Sequence, residues 1–325
     1  MRYIKIVYVH FFWFSHKWRR KMNTLECIPG KEFLQCEENS AMYHYSEIID
    51  EVESVSPGFM QQVKPEDIFI HAMEVKVTTY CSLHCRDCTH LIPYVNTQRF
   101  ASVEKTLADL DKMLTVSKIG GLILLGGEVF MHPGFTVFIR GYQRLKNKGN
   151  VGFLRVTTNG TIIPSDEFCE AFRQIENGYV LFSNYGELSV RQEEAVAKLQ
   201  SYGIRVVVWP LIKEWKSLGG YEKRDYTEEE VKRLYHVCHG KIYLHLHHGH
   251  LYHCYRVPCL NEEIFEKPVV TDYLDVRGTD IGELPEKLRS YINDTQYMQG
   301  CYYCSGFHTC SPSVPPAIQL KRQTK

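Results

Sequence analysis

Three cysteines on one short stretch are the first residues of this sequence whose types and spacing suggest chemistry. Cys81, Cys85 and Cys88 have C-x3-C-x2-C spacing and follow an alternating run that predicts a β-strand. Three thiolates on one loop can hold three corners of a cube-shaped iron–sulfur cluster and leave its fourth iron without a protein ligand. An iron with an open coordination position is a reaction site rather than a passive electron store. The spacing therefore favours a cluster that performs chemistry.

Two other uses of these three cysteines stay open at this point. A structural zinc site usually takes two C-x2-C pairs or a mixture of Cys and His, whereas this loop supplies an odd three. A disulfide would leave one thiol over and needs an oxidising compartment. Zinc binding and buried free thiols are therefore the alternatives to the cluster.

Polar and glycine residues close the next three predicted strands. They are Gly126-Gly127-Glu128, then Thr157-Thr158-Asn159-Gly160, then Phe182-Ser183-Asn184-Tyr185-Gly186. Two glycines let a ligand approach the backbone, and a carboxylate can receive an ammonium group. Hydroxyl and amide groups at one sheet edge suit a ribose or a carboxylate, although Asn-Gly is also a common turn pair. Arg155 shares the face of these side chains on the third strand and needs a partner there.

The cysteine loop, followed one βα unit later by Gly-Gly-Glu, resembles the radical S-adenosylmethionine (radical SAM) superfamily over roughly residues 72–210. The resemblance implies a [4Fe–4S] cluster on Cys81, Cys85 and Cys88, whose open iron binds the amino and carboxylate groups of SAM. It also implies SAM contacts from residues at strand ends: Gly126, Gly127, Glu128, Asn159 and Ser183. For Arg155, which alternation places on the same face, we expect the SAM carboxylate or a polar substrate as partner. The superfamily commonly has an aromatic residue just before the last loop cysteine. Asp87 stands at that position, so the adenine contact is left unassigned.

A second cysteine group lies near the C-terminus. It comprises Cys238, Cys254, Cys259, Cys301, Cys304 and Cys310. The order C-x10-G-x4-C, a long gap and C-x2-C resembles the SPASM/twitch auxiliary domains appended to radical SAM cores. The resemblance implies a second [4Fe–4S] cluster for electron transfer, held by Cys238, Cys254, Cys301 and Cys304. A structural zinc site built from four cysteines is the competing interpretation.

The remaining cysteines of this group have no assigned partner. Val314 stands where the full SPASM pattern has its next cysteine, so the single-cluster twitch form fits better than the two-cluster form. Cys259 and Cys310 are then alternative ligands, substrate-side thiols or packing residues. Five histidines also crowd the predicted hairpin before Cys254, at positions 245, 247, 248, 250 and 253. Because alternation puts them on different faces, we expect solvated or cluster-adjacent histidines and no convergent site.

Strands and helices alternate from about residue 72, and these elements must position the polar residues. We predict strands at Met73–Tyr80, Leu122–Leu125, Val151–Thr157, Val180–Ser183 and Ile204–Trp209. Predicted helix N-caps are Ser102, Ser165, Thr227 and Ser189, the last forming a capping box with Gln192. Strands separated by helices indicate right-handed βαβ units and a parallel sheet. The class is α/β, and the resemblance refines it to a partial (β/α)6 barrel with a small C-terminal cysteine-rich domain.

We divide the chain into an N-terminal extension (1–70), a radical SAM core (71–225) and an auxiliary-cluster domain (226–325). In the extension, Tyr45–Val55 predicts a short amphipathic helix. The apolar run Ile4–Phe14 is about half as long as a bilayer span, and its basic cluster follows it instead of preceding it. A first strand or packing segment is therefore favoured over an interfacial anchor or a signal peptide.

The charge composition narrows the classes of binding partner that the sequence favours. Lys plus Arg and Asp plus Glu number 38 each, so no global field favours nucleic acid or an anionic membrane surface. We expect a cytoplasmic protein whose reduced thiols are available for metal. The resemblance further implies an electron donor of the flavodoxin or ferredoxin type.

The expected activity is that of a radical SAM oxidoreductase. As the resemblance implies, reductive cleavage of SAM gives a 5′-deoxyadenosyl radical that abstracts hydrogen from a substrate carbon, and the auxiliary cluster accepts an electron. The twitch spacing resembles aminocyclitol dehydrogenases, and Pro315–Gln319 looks like radical SAM proteins found with glycan biosynthesis genes. A small polyhydroxylated substrate is therefore favoured. A SPASM-type peptide maturase is the main alternative, and a non-enzymatic zinc-stapled interaction protein is the minor one.

Overall fold

The structure is a computed structural model that describes residues 30–36, 42–264 and 272–321. Its strands are β1 (Phe69–Thr78), β2 (Lys118–Gly126), β3 (Val151–Thr158), β4 (Gly178–Phe182), β5 (Arg205–Val208), β6 (Trp215–Lys216), β7 (Tyr243–His247), β8 (His250–Tyr252), β9 (Leu274–Asp275) and β10 (Ser313–Val314). Eight of them form one sheet in the order β5-β4-β3-β2-β1-β7-β8-β9, while β10 pairs with β6. Strands β1 to β5 are mutually parallel. The predicted α/β class with a parallel sheet is confirmed.

Helices connect the strands, and α2 to α5 cover one face of the sheet. They are α1 (Met42–Val55), α2 (Val103–Val116), α3 (Phe135–Gln143), α4 (Asp166–Phe172), α5 (Gln192–Ser201), α6 (Glu228–Val237), α7 (Val257–Cys259) and α8 (Leu284–Asp294). The predicted caps Ser102 and Ser165 accept hydrogen bonds from the helix backbone, and Thr227 forms a full capping box with Glu230. The capping box predicted at Ser189 is wrong, since the N-cap of α5 is Arg191.

The two faces of β1 differ in what they contact. Met73, Val75 and Val77 point into the main apolar core, where α2 to α5 pack on the sheet. The alternate positions of β1, which include Glu74 and Lys76, point to the opposite face, because successive side chains of a strand alternate. Helix α1 packs on that opposite face through Ile48 and Val52, which belong to an apolar cluster with residues of β2, β3 and β4. The predicted N-terminal helix thus exists and closes one end of the inner face.

A sixth parallel strand comes from the C-terminal part of the chain. Strand β7 pairs in parallel with β1, not beside β5, and β8 returns antiparallel to it as the predicted hairpin. The turn residues His248 and Gly249 have φ of 51° and 90°, as the right-handed twist of a two-residue hairpin requires. Leu244, Leu246 and Leu251 of the hairpin join the main core. Burial of these side chains fixes the hairpin on the β1 edge of the sheet.

Several sequence predictions lie outside the described residues. These are the apolar run Ile4–Phe14 and the basic cluster that follows it. The division into extension, core and auxiliary domain stays a prediction, and β7 to β9 continue the sheet of the core across the last boundary. Within the described ranges, no helix has the length and apolar character to cross a bilayer.

Candidate functional site

The cysteine loop follows β1 directly and leaves its three thiols half-buried. Backbone hydrogen bonds from Cys88 to Cys85 and from Leu91 to Cys88 fold it into successive turns, at N···O distances of 3.1 and 3.0 Å. Burial raises the pKa of Cys81 to about 12 and that of Cys85 to about 11, and it also raises the pKa of Cys88. Without a cation these thiols hold their protons at pH 7. A bound metal would stabilise the thiolates and displace the protons.

The two glycines of the Gly-Gly-Glu stretch let β2 end against the beginning of this loop. A Cβ atom on Gly126 would lie 2.2 Å from the Thr78 carbonyl oxygen, and one on Gly127 would lie 2.0 Å from that of Tyr80. The Gly127 amide donates to the Thr78 carbonyl at 2.8 Å. The need for glycine thus arises from backbone packing. Any ligand access at these positions is a further use of the same feature.

Glu128 is buried and its carboxylate is already occupied by hydrogen bonds. It accepts from the Thr158 hydroxyl at 2.9 and 3.0 Å and from the backbone amides of Asn159 and Phe130 at 2.9 and 3.2 Å. A carboxylate has about four acceptor positions, so these three donors occupy most of them. Burial, opposed by these hydrogen bonds, raises the pKa of Glu128 to about 7. The side chain therefore clamps β2 to β3 and does not face open space, which differs from the expected contact with an ammonium group.

Asn159 lies beside the first cysteine, as its assignment to the SAM site requires. Its amide nitrogen is 3.7 Å from the Cys81 sulfur and donates to the Ser82 hydroxyl at 3.0 Å. Its side-chain oxygen accepts from the backbone and hydroxyl of Thr161 at 3.0 and 2.7 Å. Ser189, freed from capping a helix, donates to the Asn159 carbonyl at 2.8 Å. These contacts join the ends of β3 and β4 to the cysteine loop.

Ser183 and Tyr185, which follow β4, lie at the same edge of the sheet as Asn159 and the cysteine loop. Ser183 is buried, and its backbone amide donates to the Thr158 carbonyl at 2.9 Å. Tyr185 was not assigned a role from the sequence. Burial raises its pKa, a hydrogen bond with Ser183 opposes that rise, and the three loop cysteines act on the phenol electrostatically. The segment that follows β4 therefore places an aromatic ring beside the loop. Asp87, which stands at the position where an aromatic residue is common, pairs instead with Arg86 at 2.9 Å.

The C-terminal segment lies along the cysteine loop. Gln319 donates from its amide nitrogen to the Cys85 sulfur at 3.2 Å and accepts from the His84 backbone amide at 2.7 Å. Backbone bonds from Arg86 to Ile318 and from Leu320 to His84, both 2.8 Å, extend this pairing. Sequence reasoning used this segment only as a family likeness. Its distance along the chain hides the contact, and the glutamine after Pro-Pro is the one available signal.

Arg155 has a partner within the chain, which corrects the expectation that a cofactor or substrate must supply one. Its guanidinium donates to both oxygens of Glu51 on α1, at 3.1 and 3.3 Å. Tyr179 also donates to Glu51. Burial would lower the pKa of Arg155, but the charge of Glu51 raises it, so the ion pair persists. A direct SAM contact of Arg155 stays a prediction.

The four cysteines assigned to the auxiliary cluster line one cavity. They are Cys238, Cys254, Cys301 and Cys304. Backbone amides of Gly306, Phe307 and Arg256 donate to three of their sulfurs at 3.2, 3.5 and 3.4 Å. Such N–H···S bonds stabilise thiolates that ligate a cluster. Asp272 accepts from the amides of Gln299 and Gly300, at 2.5 and 2.8 Å, and so fixes the turn before Cys301.

Cys310 and Cys259 do not line the cavity of the four auxiliary cysteines among the described residues. Cys310 is absent from the lining of this cavity among the described residues and lies near Cys36 and His308. Cys259 is fully buried and accepts from the Lys76 ammonium at 2.9 Å. The prediction of Cys310 as an alternative cluster ligand thus receives no support from its position. Cys259, which also acts electrostatically on Cys88, lies on the side of the first cluster loop.

The expectation of solvated hairpin histidines is wrong for three of the five. His245, His247 and His253 are buried. His253 lines the auxiliary cavity, in agreement with the cluster-adjacent alternative. Convergence does occur, because ligand atoms of His247, His248 and Glu262 lie within 4.8 Å of one another.

Charged side chains of β1 and β7 form a polar group on the inner face that sequence reasoning missed. Glu74 contacts His245 at 3.0 Å across the parallel pair. Burial would raise the pKa of Glu74, but the charge and hydrogen bond of His245 lower it. Burial, then the charge of Lys76, lowers the pKa of His90 to about 3, so its imidazole is neutral at pH 7. The alternating Glu-Val-Lys-Val of β1 was the available signal.

Several buried polar atoms near these groups have no hydrogen-bond partner among the described residues. They include Nδ1 of His90, Nε2 of His245, Nε of Arg155 and the hydroxyl oxygen of Thr157. Thr157 stands on the inner face of β3, two residues beyond Arg155. A buried polar atom without a partner is costly, so a bound polar ligand would stabilise this arrangement. The donor set, three thiols on one loop with unsatisfied polar groups nearby, fits a cluster together with a polar cofactor or substrate.

No family model matches the chain, and no curated protein matches it. Solved structures do match over part or most of their length. Streptococcus suis SuiB aligns with TM-score 0.36 and 15% identity over 44% of this chain and 33% of its own, so the chain spans about a third of that protein. Native anSMEcpe with bound AdoMet aligns with TM-score 0.47 and 13% identity, over 74% and 89% of the two chains. BtrN in complex with AdoMet and 2-DOIA gives 0.41 and 11%, over 73% and 93%.

Proposed function

We propose that this chain is a radical SAM enzyme with a second, auxiliary [4Fe–4S] cluster. The observation that carries the proposal is the convergence of Asn159, the Gly126-Gly127 turn and the cysteine loop at the carboxyl end of a parallel sheet. Ligands of open α/β sheets bind at that end. Cys81, Cys85 and Cys88 would hold the first cluster. When bound, the cluster and SAM supply a 5′-deoxyadenosyl radical, which abstracts hydrogen from a substrate carbon.

The residues around the loop would orient SAM and shield it. The backbone of the Gly126-Gly127 turn is the group available to the amino group of SAM, because the carboxylate of Glu128 is buried and already accepts hydrogen bonds. Asn159 and Ser183 offer amide and hydroxyl groups to the ribose or carboxylate. Tyr185 offers its ring to the adenine, which would supply from β4 the aromatic contact that Asp87 cannot make.

The auxiliary cluster would be held by the four cavity cysteines and would accept an electron from the substrate radical. Four thiolates leave no open iron, so this cluster suits electron transfer and not SAM binding. A single structural zinc ion on the same four sulfurs is the competing occupant, and metal counting separates the two.

The substrate proposed is a small polyhydroxylated molecule that undergoes net oxidation at carbon. The inner face carries Glu74, Lys76 and His245, which can bond hydroxyl or amino groups. The N-terminal helix α1 packs into one end of that face instead of forming a separate peptide-binding module. A protein of the flavodoxin or ferredoxin type would deliver electrons to the first cluster.

Anaerobic reconstitution followed by metal counting tests the cofactors. We expect about eight irons per chain, and about four in Cys301→Ala. Reduction in the presence of SAM should give 5′-deoxyadenosine, and Cys85→Ala should abolish it. Cys169→Ala, which removes a buried thiol from α4 away from both sites, is the matched control and should keep both properties. Stoichiometric zinc in place of iron would contradict the enzyme, and four irons in the wild type would contradict the auxiliary cluster.

Isotope transfer tests the substrate class. Aminocyclitols and sugars deuterated on carbon are incubated with enzyme, SAM and reductant, and deuterium is sought in 5′-deoxyadenosine by mass spectrometry. Transfer from a polyol supports the proposal. Transfer only from peptides would replace it with peptide maturation.

A further inference from the structure

We propose that Cys36, His308 and Cys310 form a mononuclear zinc site that joins the N-terminal segment 30–36 to the C-terminal loop 305–311. The ligand atoms of the three residues all lie within 4.8 Å of one another. The Cys36 sulfur and Nδ1 of His308 are 3.2 Å apart. A tetrahedral zinc sets sulfur and nitrogen ligands about 3.6 Å apart, so a small outward movement would admit the ion.

His308 is already oriented as a metal ligand. Its Nε2 is 3.0 Å from the Ser305 carbonyl oxygen, which can only accept, so Nε2 carries the proton. In the neutral ring Nδ1 therefore carries no proton, and its lone pair is directed at the thiols. A backbone carbonyl on the second ring nitrogen is the usual outer-shell partner of a metal-bound histidine. The His308 backbone amide, held by Ser311 at 3.0 Å, fixes the loop further.

The surroundings bury most of the site and leave one side of it open. Cys36 is 4% exposed and His308 is 1% exposed, whereas Cys310 is half-buried. Phe33 lies edge-on to the His308 ring at 6.4 Å and belongs to an apolar cluster with Cys36, Leu234 and Val237. The Thr309 hydroxyl is 3.8 and 3.9 Å from the two sulfurs and can donate to a thiolate. Two thiols and one imidazole match zinc by ligand softness and geometry, and the exposed side of Cys310 leaves a fourth position for water.

The site has a place in the architecture. Segment 30–36 is docked on α6, where Lys31 pairs with Glu230 at 2.5 Å and Arg233 donates to the Cys36 carbonyl. The loop on the other side of the site includes Gly306 and Phe307, whose amides donate to sulfurs of the auxiliary cavity. A zinc ion here would therefore brace the loop that supports those sulfurs. The proposal does not depend on what the auxiliary cavity holds.

Metal analysis of the full-length protein, purified anaerobically with both iron sites loaded, tests the site. We expect about one zinc per chain in the wild type and less than about 0.2 in Cys36→Ser and in Cys310→Ser, with unchanged iron. Cys310→Ser serves if Cys36→Ser fails to fold, because Cys310 is half-buried. Cys169→Ser, at a buried thiol outside the site, is the matched control and should keep its zinc.

X-ray absorption at the zinc edge identifies the ligands without interference from iron. Two sulfurs at about 2.3 Å and one or two nitrogen or oxygen atoms at about 2.0 Å are expected. Zinc that survives in both Cys36→Ser and Cys310→Ser would overturn the proposal. So would a wild-type protein without zinc, including one whose Cys36 and Cys310 form a disulfide by peptide mass spectrometry. Loss of iron instead of zinc in the variants would also overturn it.

Discussion

Removal of the Gln319 amide should lower the reduction potential of the first cluster. Its nitrogen donates to the Cys85 sulfur at 3.2 Å, and this bond strengthens when the cluster gains an electron and its sulfurs become more negative. Gln319→Leu removes the donor and leaves an apolar side chain that is one bond shorter. The reduced state is then stabilised less than before, so the potential falls.

The size of the shift follows from the strength of one hydrogen bond to a charged group. Such a bond contributes roughly 1.5–3 kcal/mol, and about a third to a half of that differs between the two redox states. A difference of 1.4 kcal/mol corresponds to about 59 mV for one electron, so we expect a decrease of about 20–60 mV. Gln319→Glu keeps the acceptor for the His84 amide and replaces the donor with a negative charge. Its potential should fall at least as far.

A redox titration followed by electron paramagnetic resonance measures the shift. The first cluster is the one whose spectrum changes when SAM is added, which separates it from the auxiliary cluster. Gln143→Leu removes a similar amide that donates to the Ala171 carbonyl on the helical layer, and it should leave the potential unchanged. An unchanged or higher potential in Gln319→Leu, with full iron content, would refute the reasoning.

Three further predictions concern the scaffold of the site. Gly127→Ala places a Cβ 2.0 Å from a main-chain carbonyl oxygen and should displace the cysteine loop and lower iron content severalfold, whereas Gly149→Ala, with nothing within 4 Å, should not. Glu128 should show a carboxyl band in infrared spectra that disappears with a midpoint near pH 7 and is missing in Glu128→Gln. Because its folded pKa is raised, Glu128 stabilises the fold below about pH 4, and this contribution, roughly 3 kcal/mol, is lost as pH rises through 7. Arg155→Met leaves the Glu51 carboxylate without its cation and should cost about 2–4 kcal/mol in urea unfolding, which Glu51→Gln in the same chain should partly restore. Equal losses in the single and double variants would contradict the pairing.

The parallel sheet could be predicted because each strand and helix carries its own local signal. Buried strands such as β2 are continuously apolar, and capping residues such as Ser165 act within one turn of helix. The join of β7 to the free edge of β1 has no such signal. That edge was chosen by the burial of leucines from a hairpin more than a hundred residues away. Ser189 shows the same limit, because its hydroxyl donates to the Asn159 carbonyl and accepts from the Tyr185 amide instead of accepting from the helix start.

The sequence by itself determined the two sets of cysteines, because ligands on one loop or one hairpin are placed by short-range spacing. It also determined that polar residues end β3 and β4 at the edge where such a loop must lie. Only the tertiary structure decided that the Glu128 carboxylate is buried and accepts hydrogen bonds. It also decided that Arg155 pairs with Glu51 and that Gln319 contacts Cys85. It alone brought Cys36 to His308 and Cys310. Each of these contacts joins residues far apart in the chain, and such contacts depend on how packed elements cross, which local residue patterns do not specify.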